Sequence, residues 1–137
     1  MNSEKTRALI DDFYATLARG NREHLLTLLA PNIEWQMPAS VPDGLLHGRE
    51  RVAQELGSDI VRRLFKRGTF RLTIHKTFVD GNVAIVQTGV RAETLAGKIY
   101  EIEYAWIYTC EDGQIRHIRE YLDTKRSSDI LGWSDTR

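Results

Sequence analysis

"KIYEIEYAWIYTCEDGQIRHIREYLDT", residues 98–124, decides the fold. Two runs of period-two sequence, 98–110 and 114–123, flank the turn signal "EDG" at 111–113. The first run puts Tyr100, Ile102, Tyr104, Trp106 and Tyr108 on one side of a strand. Ile99, Glu101, Glu103, Ala105 and Ile107 take the other. The aromatic side is too large and apolar to leave in water, so it packs on helices, on another subunit or against a substrate. The second run separates Ile115, His117, Arg119, Tyr121 and Asp123 from Arg116, Ile118, Glu120 and Leu122. An imidazole, a guanidinium, a phenol and a carboxylate in one row suggest that this side borders a ligand space, with the residues further back meeting water or a second chain.

Outward from this hairpin the same period continues. Residues 69–79 and 83–93 alternate likewise, separated by "DGN" at 80–82 and followed by "LAG" at 95–97. Four long strands with short turns form an antiparallel meander. Ahead of it the spacing is helical. Leu9, Ile10, Phe13, Tyr14 and Leu17 line one helix over 4–19, and Gly20 ends it. Asn21 caps a second helix, with Leu25, Leu26, Leu28 and Leu29, which Pro31 stops. "IEWQM" (33–37) reads as a short strand and 38–48 as a loop. Residues 49–66 return to helix, with Gly57-Ser58 able to split it. Helices first and sheet second make the class α+β. Long strands twist and curl, so the N-terminal helices cover the concave side and leave a pocket.

The 137 residues suit one domain, with a core at about 5–125 and a tail at 126–137. Lys+Arg and Asp+Glu number 19 each, so no bulk charge draws the chain to nucleic acid or to an acidic membrane. Cys110 is the single cysteine, the N-terminus lacks the pattern of a signal peptide, and no apolar run has the length of a membrane span. The expectation is a soluble cytoplasmic protein. His24, His47, His75 and His117 show no metal-ligand spacing, and no phosphate loop, nucleotide fingerprint or nucleophile elbow appears. No metal or cofactor is therefore expected.

Several polar groups carry two readings each. Asp123 ends the last strand, either as an acid or base at a pocket rim or as a cap for the turn before "TKRSSD". Arg91 and Glu93 share a strand face, as a pocket charge pair or as an ordinary charged edge. His47 lies in the Pro/Gly loop where a pocket mouth would be. Arg62, Arg63, Lys66 and Arg67 form a basic patch, either complementing a helix C-terminus or binding an anion. Ile130, Leu131 and Trp133 in the tail fold over the cavity mouth or a partner subunit, or are left without structure.

"FYATLARGNREHLLTLLAPNIEWQMP", "GLLHGRERV" and "DGQIRHIREYLDT", in this order, resemble the SnoaL-like branch of the nuclear-transport-factor-2-like superfamily over about residues 5–125. The resemblance implies an α+β cone: a curved antiparallel sheet wrapped around N-terminal helices, with an apolar internal cavity for a small apolar molecule. It also implies a homodimer through the sheet. The superfamily hosts many functions. Measured against the ketosteroid isomerases, the helix-one tyrosine falls on Phe13, the catalytic aspartate on Met37 and the oxyanion-holding aspartic acid on or near Ala105. All three roles are lost, so that mechanism is rejected. The similarity to polyketide cyclases implies that Asp123 in "EYLD" is the acid/base. The Arg-x-Asp motif of limonene-epoxide hydrolases looks like Arg91-Ala92-Glu93, with glutamate departing from the pattern. The expectation is a cofactor-free isomerase, cyclase or hydrolase. In it Asp123 acts with Arg91 and Glu93, while Trp35, His47, Tyr104, Tyr121 and Tyr14 contact the substrate. A non-catalytic ligand-binding or dimerisation module is the alternative, and an epoxide hydrolase the third reading.

Overall fold

In the computed structural model, which describes residues 1–132 apart from the side chains of residues 58 and 59, helix α1 (Ser3–Arg19) runs across the hollow of a six-stranded sheet. Its apolar residues Leu9, Ile10 and Phe13 fall on one face and are buried, and Asn2 caps it by accepting from the Lys5 N–H. Gly20 closes it at φ 68°, a left-handed conformation suited to glycine. Asn21 caps α2 (Arg22–Leu28) through the His24 N–H.

α2 stops at Leu28, before the expected Pro31. The chain turns directly into β1 (Leu29–Gln36), and Pro31 sits inside that strand. Between Leu29 and Glu34 the pairing of β1 with its neighbour shifts register, an irregularity of the kind that tolerates a residue without an N–H. β2 (Leu45–His47) lies within the expected loop and pairs with β1 at the sheet edge. α3 (Arg49–Gln54) and α4 (Ile60–Leu64) flank a π-helical turn, Glu55–Asp59, broken at Gly57 (ψ −130°). The split anticipated at Gly57-Ser58 is therefore present.

The remaining strands are β3 (Arg71–Asp80), β4 (Val83–Glu93), β5 (Ile99–Glu111) and β6 (Gln114–Leu122). Sheet order is β2-β1-β6-β5-β4-β3. β3 to β6 form the antiparallel meander, while β1 joins β6 in parallel. A last helix, α5 (Thr124–Leu131), occupies the start of the expected tail. Its Ile130 and Leu131 pack against Phe65, Val90, Ala92, Tyr100 and Ile102. Trp133 lies outside the described residues.

The β5–β6 hairpin turns at Asp112 (φ 52°) and Gly113 (φ 78°), both left-handed as a tight two-residue turn demands. From there Glu111 faces Gln114 and Cys110 faces Ile115. The register then shifts, so that Thr109 faces His117 and Trp106 faces Glu120. Arg116 has no opposite residue. Because side chains alternate, one extra residue reverses the faces of everything after it. Ile115, Ile118, Glu120 and Leu122 thus point into the hollow, and His117, Arg119 and Tyr121 point away from it. This corrects the expectation that the polar row borders the ligand space. The aromatic face of β5 points inward, with Tyr100 and Tyr108 buried.

Candidate functional site

The concave face of the sheet, α1, α3, α4 and α5 enclose a cavity of about 800 Å³. Its walls come from both parts of the core: Phe13, Trp35 and Tyr108 on one side, Phe65, Val90 and Tyr100 on the other. Most of this surface is apolar or aromatic. Trp106 stacks on Tyr104 (ring centroids 5.4 Å apart) and tilts towards Trp35 at 6.0 Å. Trp106 satisfies its own N–H on Thr88 Oγ1, 3.0 Å away.

Glu120 stands in this wall, 8% exposed. Trp35 Nε1 donates to its Oε1 at 3.0 Å, and neither a second hydrogen bond nor an ion pair to it forms among the described residues. Burial pushes this carboxyl up to about 7 from an ordinary 4.5, with the Trp35 bond pulling the other way. Glu120 is therefore poised between its two protonation states near neutral pH. The other lining carboxylate, Glu55, differs in being answered by Arg51 at 3.4 Å and Arg63 at 2.8 Å.

Two tyrosyl pairs supply further polar atoms. Tyr14 and Tyr108 bond hydroxyl to hydroxyl at 2.6 Å; Tyr100 bonds Tyr104 at 2.5 Å and Ser127 Oγ at 3.1 Å. Burial raises the pKa of all four phenols, so they remain protonated donors.

The structure divides the expected site residues. Trp35, Tyr104 and Tyr14 line the cavity. Tyr121 does not: it is 47% exposed on the outer face, with Arg119 over its ring at 5.2 Å. His47 is also exposed, since pairing of β1 with β2 turns Leu46 inward and leaves His47 beside Glu34, at 3.7 Å, on the other side. Arg91 pairs with Glu101 at 3.1 Å and Glu93 with Lys66 at 2.8 Å, both on the outer face. Asp123 is exposed and caps α5 by accepting from the Arg126 N–H at 3.0 Å. The expected trio of Asp123, Arg91 and Glu93 is not assembled at the cavity, so these residues do not form the carboxylate pair expected to share a water in epoxide hydrolysis. Ala105, matched to the isomerase oxyanion aspartic acid, faces outward between Gln87 and Tyr121, whereas Met37 lines the cavity.

Glu120 escaped sequence reasoning, although one signal pointed to it: an acid between Ile118 and Leu122 on the same strand face. The capping role of Asp123 is directly testable. Asp123→Ala is expected to cost about 1 kcal/mol in urea denaturation, and Asp123→Asn, which retains the capping oxygen, close to nothing.

No helix among the described residues is long and apolar enough to cross a membrane. No group of three or more His, Cys, Asp or Glu residues among them is placed to hold a metal ion.

Comparison with solved structures returns the same architecture. An NTF2-like protein from Burkholderia xenovorans LB400 superposes with a TM-score of 0.80 at 20% identity, over 96% of this chain and 98% of that one. Bal32a, from a soil-derived mobile gene cassette, gives 0.81 at 20% identity over 94% and 98%. TerC, co-crystallised with polyporic acid, gives 0.79 at 19% identity over 93% and 98%. At these identities the likeness is one of fold. Comparison with curated proteins returns no match. The sequence pattern of the SnoaL-like domain, however, matches residues 10–118, which is most of the chain and includes α1 from Ile10 on, the cavity walls of β1, β4 and β5, and β6 as far as Ile118; this chain belongs to the SnoaL-like domain family.

Proposed function

We propose that the protein binds a small, mostly apolar carbonyl compound in its cavity and moves a proton on it without a cofactor, with Glu120 as the acid and base. The observation that carries this reading is the buried carboxyl of Glu120, held by the Trp35 N–H, facing aromatic walls and balanced near neutrality. A base of this kind is most effective when its pKa lies near the working pH.

In the proposed step, ionised Glu120 takes a proton from the carbon next to the carbonyl. The C–H electron pair moves onto the carbonyl oxygen, giving an enolate. A tyrosyl hydroxyl from the Tyr14–Tyr108 or Tyr100–Tyr104 pair donates to that oxygen, a contribution of the oxyanion-hole kind. Protonated Glu120 then returns its proton to a different carbon, completing an isomerisation. Alternatively the enolate carbon attacks a second carbonyl of the same molecule and the proton goes to the new alkoxide, completing a cyclisation. Atoms and electrons balance in either route with no oxidant or reductant. The test follows deuterium uptake from D₂O at the carbons beside the carbonyl of cyclic ketones by NMR, comparing the natural protein with Glu120→Gln. Equal uptake with both proteins would leave a ligand-binding cavity without this chemistry.

The outer face of the sheet is proposed to seat a second copy of the chain. Phe78, Ile85 and Tyr121 are exposed there among Lys76, Arg119, Glu101 and Glu103, an apolar belt edged by both signs of charge and so complementary to itself. Ile85→Glu is expected to convert a dimer to a monomer in sedimentation velocity. A natural protein that sediments as a monomer at 50 µM would end this reading.

A further inference from the structure

We propose that the molecule taken by the cavity also carries one anionic group, which stays at the mouth on Arg71, Arg67 and Arg22 while the apolar body reaches inward towards Glu120. This rests on the reading of the cavity as a ligand site, and adds the charge of the ligand and its direction of entry.

The charges around the cavity are sorted by depth. The only Lys, Arg or His side chains among its described lining residues are Arg22 and Arg71, and both are exposed. Deep inside stands Glu120, whose ionised form repels a second anion. An anionic group therefore finds its cations only at the rim. Arg71 is already fixed in place. Its Nη1 donates to the backbone carbonyls of Gly68 at 3.0 Å and Phe70 at 2.9 Å, and no carboxylate pairs with it among the described residues. Arg67 is exposed on that same turn and likewise has no carboxylate partner there. Arg22, the other lining cation, is held only by a 3.5 Å contact to the exposed Glu50, a pairing of little strength in water. The nearby cations Lys66 and Arg91 are taken up by Glu93 and Glu101 and are not counted.

The apolar surface follows the same direction. Leu72 and Ile74, next to Arg71 on β3, pair with Val90 and Thr88 and so point to the concave side. Yet they are 39% and 45% exposed, because no helix among the described residues covers that end of the strand. They form an apolar ramp from the arginines into the cavity, which an amphiphilic anion would cover. A carboxylate, sulfonate or phosphate ester on an apolar body meets these requirements, and a guanidinium binds each through paired N–H donors.

Two dyes that differ by a single sulfonate test this: 8-anilinonaphthalene-1-sulfonate and neutral N-phenyl-1-naphthylamine. Their fluorescence is titrated against the full chain in about 20 mM and about 500 mM salt, with circular dichroism to confirm the fold of each variant. The sulfonate is expected to tighten binding by about five- to tenfold at low salt, and by much less at high salt. In the Arg67→Gln/Arg71→Gln double variant that advantage should disappear while the neutral dye binds as before. Equal affinity for both dyes in the natural protein, or a double variant that weakens both equally, overturns the proposal while leaving the cavity a ligand site. Failure of both dyes to bind overturns the cavity reading and this inference together.

Discussion

Replacing Glu120 by Gln is expected to reduce proton transfer on a bound ketone by about 10²- to 10⁴-fold, the usual contribution of a positioned acid or base, and at the same time to make the protein more stable above neutral pH. The two effects share one cause. The cavity holds a carboxyl that burial shields from water, and Trp35 Nε1 is the single hydrogen-bond donor to it among the described residues. Gln keeps the size and an oxygen for Trp35, but it can neither take nor give a proton.

The sign of the stability effect follows from linkage. Glu120 titrates at about 7 in the folded protein and at an ordinary 4.5 when unfolded. Below about 4.5 both states are protonated and the group makes no difference. Between about 4.5 and about 7 the unfolded state gives up its proton while the folded state keeps it, so stability falls as pH rises. Above about 7 the full penalty is in place, roughly 3 kcal/mol. Part of the gain in Glu120→Gln is lost to the buried amide N–H₂, which needs an acceptor. The variant is thus expected to exceed the natural protein by about 1–3 kcal/mol at pH 8 and, with only the amide cost left, to match it or fall below it by up to about 2 kcal/mol at pH 4. Urea denaturation across this range measures it, and the rate of deuterium uptake by the natural protein should rise with a midpoint near 7. A stability difference that is the same at both ends of the range would mean that the carboxyl is not held as described. Such a gain in stability on removing a functional group is the usual mark of a site kept for chemistry rather than for folding.

The same residue shows where the sequence was legible and where it was not. Strong period-two runs mark β4 and β5 almost to the residue, and Asn21 marks the start of α2, because alternation and capping are local properties. The resemblance carried Tyr14, Trp35 and Tyr104 to the cavity wall, where they stand. What could not be read was non-local. Nothing in "IEWQM" states that its strand lies parallel to β6, or that β2 will pair with it and turn His47 outward. The most consequential gap was a register. An unbroken alternation from the tight turn at Asp112-Gly113 puts His117, Arg119, Tyr121 and Asp123 on the cavity side. One unpaired residue, Arg116, reverses this and puts Glu120 there instead.

Deleting Arg119 should therefore have an effect far larger than deleting Arg116. Arg116 is the extra residue: without it Ile115 still faces Cys110 and His117 still faces Thr109, so Ile118, Glu120 and Leu122 keep their places on the cavity side. Its own contacts are slight: it is only half-buried, and Nη1 donates to the Asn32 carbonyl at 3.1 Å in an exposed position. Its deletion, like Arg116→Ala, is expected to cost about 1 kcal/mol or less. Deleting the paired Arg119 leaves the chain two ways to re-pair. If the bulge holds, Glu120 and Leu122 leave the cavity side and Tyr121 is driven into it. If the bulge closes, the fully buried Ile118 turns to solvent at about 1.5–3 kcal/mol and His117 is driven into the core. The cheaper path still costs about 3 kcal/mol or more, a large share of the 5–15 kcal/mol that stabilises a typical domain. The expected result is a protein that unfolds at much lower urea than the Arg116 deletion or Arg119→Ala, or does not accumulate folded. Trp35, which lends its N–H to Glu120, provides the local reading: its fluorescence should shift when the carboxyl turns away along the first path and stay put along the second. An Arg116 deletion as damaging as the Arg119 deletion would mean that the faces of β6 are not set by this bulge, and the placement of Glu120 in the cavity would fall with it.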